Sequence, residues 1–172
     1  MMCMKRFFLF LTLAALVSSA QPPKKFSARK PGDEFVGAWK LISFERRNTA
    51  GEVAYPMGEN PVGRITYDAM GRMSAQIMRP DRPKFGSTSF TAGTPQEKIA
   101  AFDGYIGYYG TFSVNETEHV VVHHVEASIF PNWVGSDQRR LYEFSGDQLI
   151  LRAVNGSGGP GTESRLVWER AR

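Results

Sequence analysis

Short segments of alternating apolar and polar residues make up most of the chain from Asp33 onward, and turn-forming residues separate each segment from the next. Alternation with a period of two is typical of β-strands that bury one face, and many such strands at regular spacing predict an antiparallel sandwich or barrel. Eight antiparallel strands can close into a barrel that holds its own side chains or one small ligand. We therefore expect an all-β domain over residues 33–172, with strands near residues 36–46, 62–67, 72–78, 110–114, 119–128, 138–144, 148–154 and 165–170 and a short extended piece near 52–55.

The first predicted strand shows how alternation assigns residues to faces. It places Trp39, Leu41 and Ser43 on one face of the sheet and Ile42 and Phe44 on the other. An uninterrupted strand keeps this assignment along its whole length, so Phe44 is expected to point away from the face that carries Trp39.

One helix is expected between the third and fourth of these strands. The sequence at 94–97, Thr-Pro-Gln-Glu, is a capping box with proline at the first helical position. Ile99, Phe102, Ile106 and Tyr109 then follow at helical spacing and predict an apolar stripe that packs the helix onto the sheet. Tyrosines near the end of this segment could instead line the mouth of a cavity.

The N-terminal segment has the pattern of a secretory signal peptide. Lys5 and Arg6 precede an uncharged apolar run, and small residues lead to an expected cleavage after Ala20. The apolar run, residues 7–17, is shorter than the roughly 20 residues that a membrane-spanning helix needs. The single cysteine, Cys3, lies in this segment, so no disulfide is expected in the mature protein. The sequence therefore predicts an exported protein, periplasmic or secreted.

Residues 21–32 are predicted to form a flexible basic tail, since they contain three prolines, four basic residues and no acidic residue. The whole chain has a net charge of +4, but six of its 21 basic residues lie within residues 1–32. Residues 33–172 therefore carry 15 basic and 17 acidic residues. This balance argues against nucleic acid as a partner, and the sequence predicts no oligomeric state.

Several motifs lack the context that their chemistry requires. The segment at 156–161 matches the G-x-G-x-x-G pattern, but a strand follows it where dinucleotide binding needs a helix. His119, His123, His124 and Glu126 suggest a metal, yet alternation puts only two of them on each face. The sequence contains neither a P-loop nor a G-x-S-x-G elbow. We expect no metal and no cofactor.

Gly37-Ala38-Trp39 resembles the G-x-W motif of lipocalins, in which the tryptophan closes the barrel floor beneath an arginine from the last strand. If the last strand pairs antiparallel with the first, its end lies beside the start of the first strand. Arg170 is then the expected stacking partner of Trp39. A plain core tryptophan is the competing interpretation.

Longer segments of the barrel region carry a wider resemblance, namely GENPVGRITY at 58–67, MSAQIMRPDRP at 73–83, AFDGYIGYYG at 101–110, VHHVEASIFPNWVG at 122–135 and LVWE at 166–169. Through these segments, residues 36–169 resemble the bacterial and fungal lipocalin-like domain family, which implies an eight-stranded antiparallel calycin-type barrel. Members are suspected of holding a small hydrophobic molecule, and related calycins include cyclases and isomerases. The resemblance transfers no catalytic residue.

The candidate ligand-binding residues are those that would bring polar groups to a mostly apolar cavity. Two strand residues, His124 and Glu126, share a face, and the alternative is a structural pair on the barrel exterior. The loops at 79–82 and 130–133 offer arginines for a carboxylate or phosphate and an indole for an apolar body, unless Asp81 neutralises both arginines. The complete set is Tyr67, Gln76, Arg79, Arg82, His124, Glu126 and Trp133, the first two being weaker candidates.

Three functions remain open from the sequence. The first is an exported lipocalin-like barrel that binds a small apolar or amphipathic molecule in its cavity. The second is a cyclase, isomerase or hydratase, which needs His124 and Glu126 facing inward as an acid and base pair. The third is a non-catalytic envelope or protein-binding barrel filled by its own side chains, and a void of only a few water molecules would favour it.

Overall fold

The computed structural model describes residues 30–89, 91–154 and 159–172. The expected signal peptide, most of the basic tail and part of the 156–161 motif lie outside these residues. Among the residues described, no helix has the length and apolar character that crossing a membrane requires. The elements are β1 (Gly37–Arg47), β2 (Val53–Ala54), β3 (Val62–Tyr67), β4 (Arg72–Met78), α1 (Pro95–Asp103), β5 (Tyr105–Asn115), β6 (Val120–Ser128), a 3-10 turn (Pro131–Trp133), β7 (Asp137–Ser145), β8 (Gln148–Val154) and β9 (Glu163–Arg170).

All the strands are antiparallel and form one sheet in the order β2-β1-β3-β4-β5-β6-β7-β8-β9. Because β9 also pairs with β1, the eight long strands close into a barrel. The two-residue β2 pairs only with the end of β1. The predicted eight-stranded antiparallel barrel is confirmed, as is the helix between the third and fourth long strands.

A β-bulge corrects the predicted faces of β1. The pairing of β1 with β9 shifts between Leu41 and Ser43, so one extra residue enters the β1 side of the ladder. Beyond the bulge the faces exchange, which buries Phe44 in the same core as Trp39 and Leu41. Ile42, at the bulge, is 40% exposed.

The helix begins as predicted and ends earlier. Thr94 and Glu97 form the capping box, with 2.7 Å from the Thr94 amide to Glu97 Oε2 and 3.3 Å from the Glu97 amide to Thr94 Oγ1. The predicted packing of the stripe is wrong, because Ile99 and Phe102 are 59% and 48% exposed. Gly104 then ends the helix, and β5 starts at the next residue. Ile106 pairs with Ile77 of β4, so sheet pairing overrides the helical spacing.

The barrel has two ends, which differ in how they are closed. The floor is the end at which β1 begins and β9 ends, and the rim is the end at which β1 ends and β9 begins. Phe35, fully buried just before β1, packs edge-on against Tyr67, Tyr142 and Phe144 at centroid distances of 5.2, 4.9 and 5.0 Å. Aromatic packing therefore fills the barrel near the floor.

Candidate functional site

The floor is closed by Trp39 and Arg170. The guanidinium carbon of Arg170 lies 4.1 Å from the centre of the Trp39 ring. Arg170 also donates to the carbonyl oxygens of Val36 at 3.0 Å and Glu34 at 2.8 Å. The indole nitrogen of Trp39 donates to the carbonyl oxygen of Phe35 at 2.8 Å. Stacking and hydrogen bonds thus fix both side chains at this end.

Glycine is required at position 37 for this closure. Gly37 has a φ of +133°, a backbone conformation that residues with a Cβ rarely adopt. A Cβ there would also lie 3.0 Å from Nη1 of Arg170. Gly37, Trp39 and Arg170 therefore form the arrangement that the sequence predicted for the barrel floor.

An internal cavity of about 40 Å3 lies toward the rim. Its walls come from the late parts of β1, β4 and β8, the early parts of β5 and β7, and from β3, β9 and the 3-10 turn. Most of the lining side chains are apolar or aromatic, and a few polar ones converge on the same space. The lining residues are Phe44, Ile65, Ile77, Ile106, Tyr108, Trp133, Arg140, Leu151, Ala153, Ser164, Leu166 and Trp168.

Two polar atoms on residues that line this cavity are buried and have no hydrogen-bond partner among the described residues. They are Oγ of Ser164 and Nε1 of Trp168. The great majority of buried polar atoms in proteins are paired, so two orphans around one space call for an explanation. The indole nitrogen can only donate, so its missing partner is an acceptor.

Arg140 adds a positive charge to the same wall. Its guanidinium donates to the carbonyl oxygen of Arg139 at 2.9 Å and to Oε1 of Gln138 at 3.5 Å. None of the ion pairs seen among the described residues gives it a carboxylate partner. The cavity therefore combines donors and a positive charge with apolar walls.

A buried chain of hydrogen bonds joins the floor to the cavity. The Tyr67 hydroxyl lies 2.8 Å from Nε2 of His123, and the Tyr108 hydroxyl lies 2.9 Å from Nδ1 of the same ring. Burial lowers the pKa of His123 well below its usual value, and the charges of Arg140 and His124 act in the same direction. Burial raises the pKa of both tyrosines.

At neutral pH His123 is therefore uncharged and carries one N–H group. It accepts a hydrogen bond from one tyrosine and donates to the other. Because Tyr108 also lines the cavity, this chain holds the orientation of a hydroxyl group in the cavity wall.

His124 and Glu126 lie on the outer surface, which corrects the expected inward orientation. His123 and Val125 occupy the inner face of β6, so their neighbours point outward. His124 is 41% exposed and is held by Asp137 at 2.7 Å and Ser113 at 2.9 Å. The acid and base pair required by the enzyme hypothesis is therefore absent from the cavity. The described residues also contain no group of three or more metal-ligating side chains.

The other predicted residues divide between the two surfaces of the barrel. Trp133 lines the cavity, with its ring 5.5 Å from that of Tyr108. Gln76 faces outward, since its neighbours on β4 are buried. Asp81 pairs with Arg79 through two contacts of 3.2 Å, and Arg82 makes none with it. Asp81 therefore neutralises one of the two arginines.

Arg140, Ser164, Trp168 and His123 were not among the sequence-predicted ligand-binding residues. A signal for Arg140 is present, because it alternates with Tyr142 and Phe144 along one predicted strand. Trp168 similarly shares a face with Leu166 and Ser164. Strand alternation places these residues together, but it does not reveal which face closes around the cavity.

Comparison with known proteins supplies an independent line of argument. The sequence model of the lipocalin-like domain matches residues 36–171. A curated relative, the 4'-hydroxy-3'-methoxypropiophenone carrier protein ppsC of Aspergillus oryzae, is 38% identical over 107 residues. This alignment covers 57% of the chain and 96% of the relative. The match over nearly the whole barrel shows that the chain belongs to the lipocalin-like domain family.

Proposed function

We propose that this protein is a small-molecule carrier that binds an amphipathic ligand in the internal cavity. The ligand has an apolar, preferably aromatic, body and at least one oxygen that accepts hydrogen bonds. The observation that carries the proposal is a pair of buried atoms, Ser164 Oγ and Trp168 Nε1, which have no partner among the described residues and belong to two residues that line one cavity. The carrier function named for the relative supports the same class of activity.

The polarity of the cavity selects the ligand. Trp168 Nε1 and the Arg140 guanidinium can only donate hydrogen bonds, and the Ser164 hydroxyl is free to donate. A ketone, methoxy or phenolic oxygen supplies the missing acceptor. The apolar wall, including Ile65 and Leu151, covers the body of the ligand. Burial provides affinity, and the donors set orientation.

The size of the cavity requires that part of its wall move. A volume of about 40 Å3 holds about three water molecules. Trp133 is the wall residue best placed to move, since it is half-buried on a short 3-10 turn whose neighbours Phe130 and Val134 are exposed. We infer that the ligand enters at the rim by displacing the Trp133 ring.

The test uses the compound named for the relative, 4'-hydroxy-3'-methoxypropiophenone, with propylbenzene as a probe that lacks its oxygens. Two of the three tryptophans, Trp133 and Trp168, line the cavity, so intrinsic fluorescence reports binding and calorimetry gives the affinity. The oxygenated compound is expected to bind about tenfold or more tightly than propylbenzene, because only it satisfies the donors.

Variants locate the site. Trp168→Phe keeps an aromatic ring and removes the donor, and Arg140→Met removes the charge. Each is expected to weaken binding of the oxygenated compound about tenfold. Arg139→Met is the matched control, since Arg139 is exposed on the outer face of β7 and pairs with Glu118. Equal losses in Arg139→Met and Arg140→Met would contradict the proposal.

The small cavity favours one alternative, a barrel filled by its own side chains that acts through its surface. Failure of both probes to bind, together with no molecule retained by protein purified from its own host, would support that alternative. Export is proposed from the pattern of residues 1–20 alone. N-terminal sequencing of the native protein checks the expected cleavage after Ala20.

A further inference from the structure

A second concavity, of about 600 Å3, lies outside the barrel beside α1 and the loop that follows β4. Phe85, Phe102, Tyr105 and Ile129 are its large apolar and aromatic lining residues, and we call it the helix groove. It is separate from the internal cavity, because Tyr105 lines the groove while the next residue of β5, Ile106, lines the cavity. Its volume lies in the range of small-molecule sites, roughly 300–1,000 Å3.

Arg82 brings a positive charge to this groove. Its guanidinium lies 5.3 Å from the centre of the Tyr105 ring. It donates to the carbonyl oxygen of Ala101 at 3.4 Å and to Sδ of Met78 at 3.2 Å, both weak contacts for a charged donor. Its Nε atom is buried and has no partner among the described residues.

The charge of Arg82 is not neutralised within the described residues. The adjacent carboxylate, Asp81, pairs with Arg79, and no ion pair there involves Arg82. Lys98 of α1 lines the same groove, and none of the described residues that line it is acidic. Two cations thus flank an apolar, aromatic surface, which is the complement of a molecule with an apolar body and a negative end.

We propose that the helix groove is a second binding site, which takes an amphipathic carboxylate. The apolar body lies against Phe85, Phe102 and Tyr105, and the carboxylate accepts hydrogen bonds from Arg82 and Lys98. The site is independent of the internal cavity, whose donors lie inside the barrel.

The test uses octanoate and 1-octanol, which share an alkyl chain and differ in charge. Titrations of the 15N-labelled protein are followed by NMR. Octanoate is expected to shift the backbone amides of residues 98–105 and of Arg82, and to bind about tenfold more tightly than 1-octanol. Shifts confined to the amides of cavity residues such as Leu151 and Ser164 would overturn the proposal without affecting the proposed carrier function.

Three variants test the assignment to residues. Ala101→Trp fills the groove and leaves both cations, and Lys98→Gln removes a cation without altering a buried contact. Both are expected to weaken octanoate binding, the first by tenfold or more, while their binding of the aromatic ketone is unchanged. Lys84→Gln is the matched control, because Lys84 is an exposed cation in the loop after β4 and does not line the groove. Octanoate affinity that is unchanged in Ala101→Trp, or reduced equally in Lys84→Gln and Lys98→Gln, would refute the site.

Discussion

The floor of the barrel and its internal cavity differ in whether their buried polar groups have hydrogen-bond partners. At the floor, the indole nitrogen of Trp39 and two guanidinium nitrogens of Arg170 all donate to backbone carbonyls. Around the internal cavity, Ser164 Oγ and Trp168 Nε1 are buried without partners among the described residues. An unpaired buried donor costs about 1–3 kcal/mol of folding stability. The floor is therefore arranged for stability, whereas the cavity retains groups that only a bound molecule or water can satisfy.

The largest expected effect is at the floor. Trp39→Ala removes a fully buried ring that stacks on Arg170 and packs against Phe144. We expect the free energy of unfolding to fall by about 3–5 kcal/mol. Chemical denaturation monitored by circular dichroism measures this change.

Trp133→Ala is the comparison at the rim. Trp133 is only partly buried and lies on a short turn, so its removal is expected to cost much less stability. Equal losses in the two variants would show that both ends contribute to stability in the same way, and the contrast between floor and rim would fail.

Most of the fold could be predicted from sequence because alternation is a local property. The strands near 62–67, 72–78 and 148–154 agree with β3, β4 and β8. The errors occurred where tertiary pairing overrides local pattern. The bulge near Ile42 depends on how β1 meets β9, and the end of α1 depends on the pairing of Ile106 with β4.

The site was less predictable because alternation defines two faces without saying which is inside. His123 and His124 were correctly placed on opposite faces, but closure of the barrel puts His123 inside and His124 outside. Arg140 and Trp168 come from β7 and β9, on either side of β8, and both line the cavity because their side of the sheet is the inner one. The structure shows where the predicted residues lie. Their roles in ligand binding stay predictions.

The buried histidine links stability to pH. The pKa of His123 is lowered in the folded state, whereas in the unfolded chain it is about 6.5. As pH falls below about 6.5, the unfolded state takes up a proton that the folded state does not, so stability decreases. Between pH 7.5 and 5.5 this group alone is expected to lower the free energy of unfolding, by at most about 1.4 kcal/mol for a histidine that stays uncharged in the folded state.

Urea denaturation at the two pH values measures this loss. The neighbouring His124 is exposed and pairs with Asp137, so His124→Gln serves as the background in which His123 is tested. In that background, His123→Gln is expected to lower the free energy of unfolding at pH 7.5. The double variant is also expected to lose less stability between pH 7.5 and 5.5 than His124→Gln alone. An NMR titration in which the His123 ring takes up a proton near pH 6.5 while the protein stays folded would contradict the argument.

The smallest expected effect tests whether the buried hydroxyl of Ser164 is unpaired. Ser164→Ala deletes a buried hydroxyl that has no partner among the described residues. We therefore expect the free energy of unfolding to stay unchanged or to rise by up to about 1 kcal/mol. Ser136→Ala is the matched control, because Ser136 Oγ donates to the Trp133 carbonyl oxygen at 2.7 Å and accepts from Gln138 at 2.9 Å. That variant is expected to lose about 1 kcal/mol.

Binding gives the opposite order for these two serines. Ser164→Ala is expected to weaken binding of the aromatic ketone severalfold, because Ser164 lines the cavity. Ser136 does not line it, so Ser136→Ala is expected to keep most of the affinity. Denaturation and calorimetry on the same preparations provide both measurements. A Ser164→Ala protein that is less stable and binds normally would mean that the hydroxyl is satisfied within the protein, and the rim would then resemble the floor.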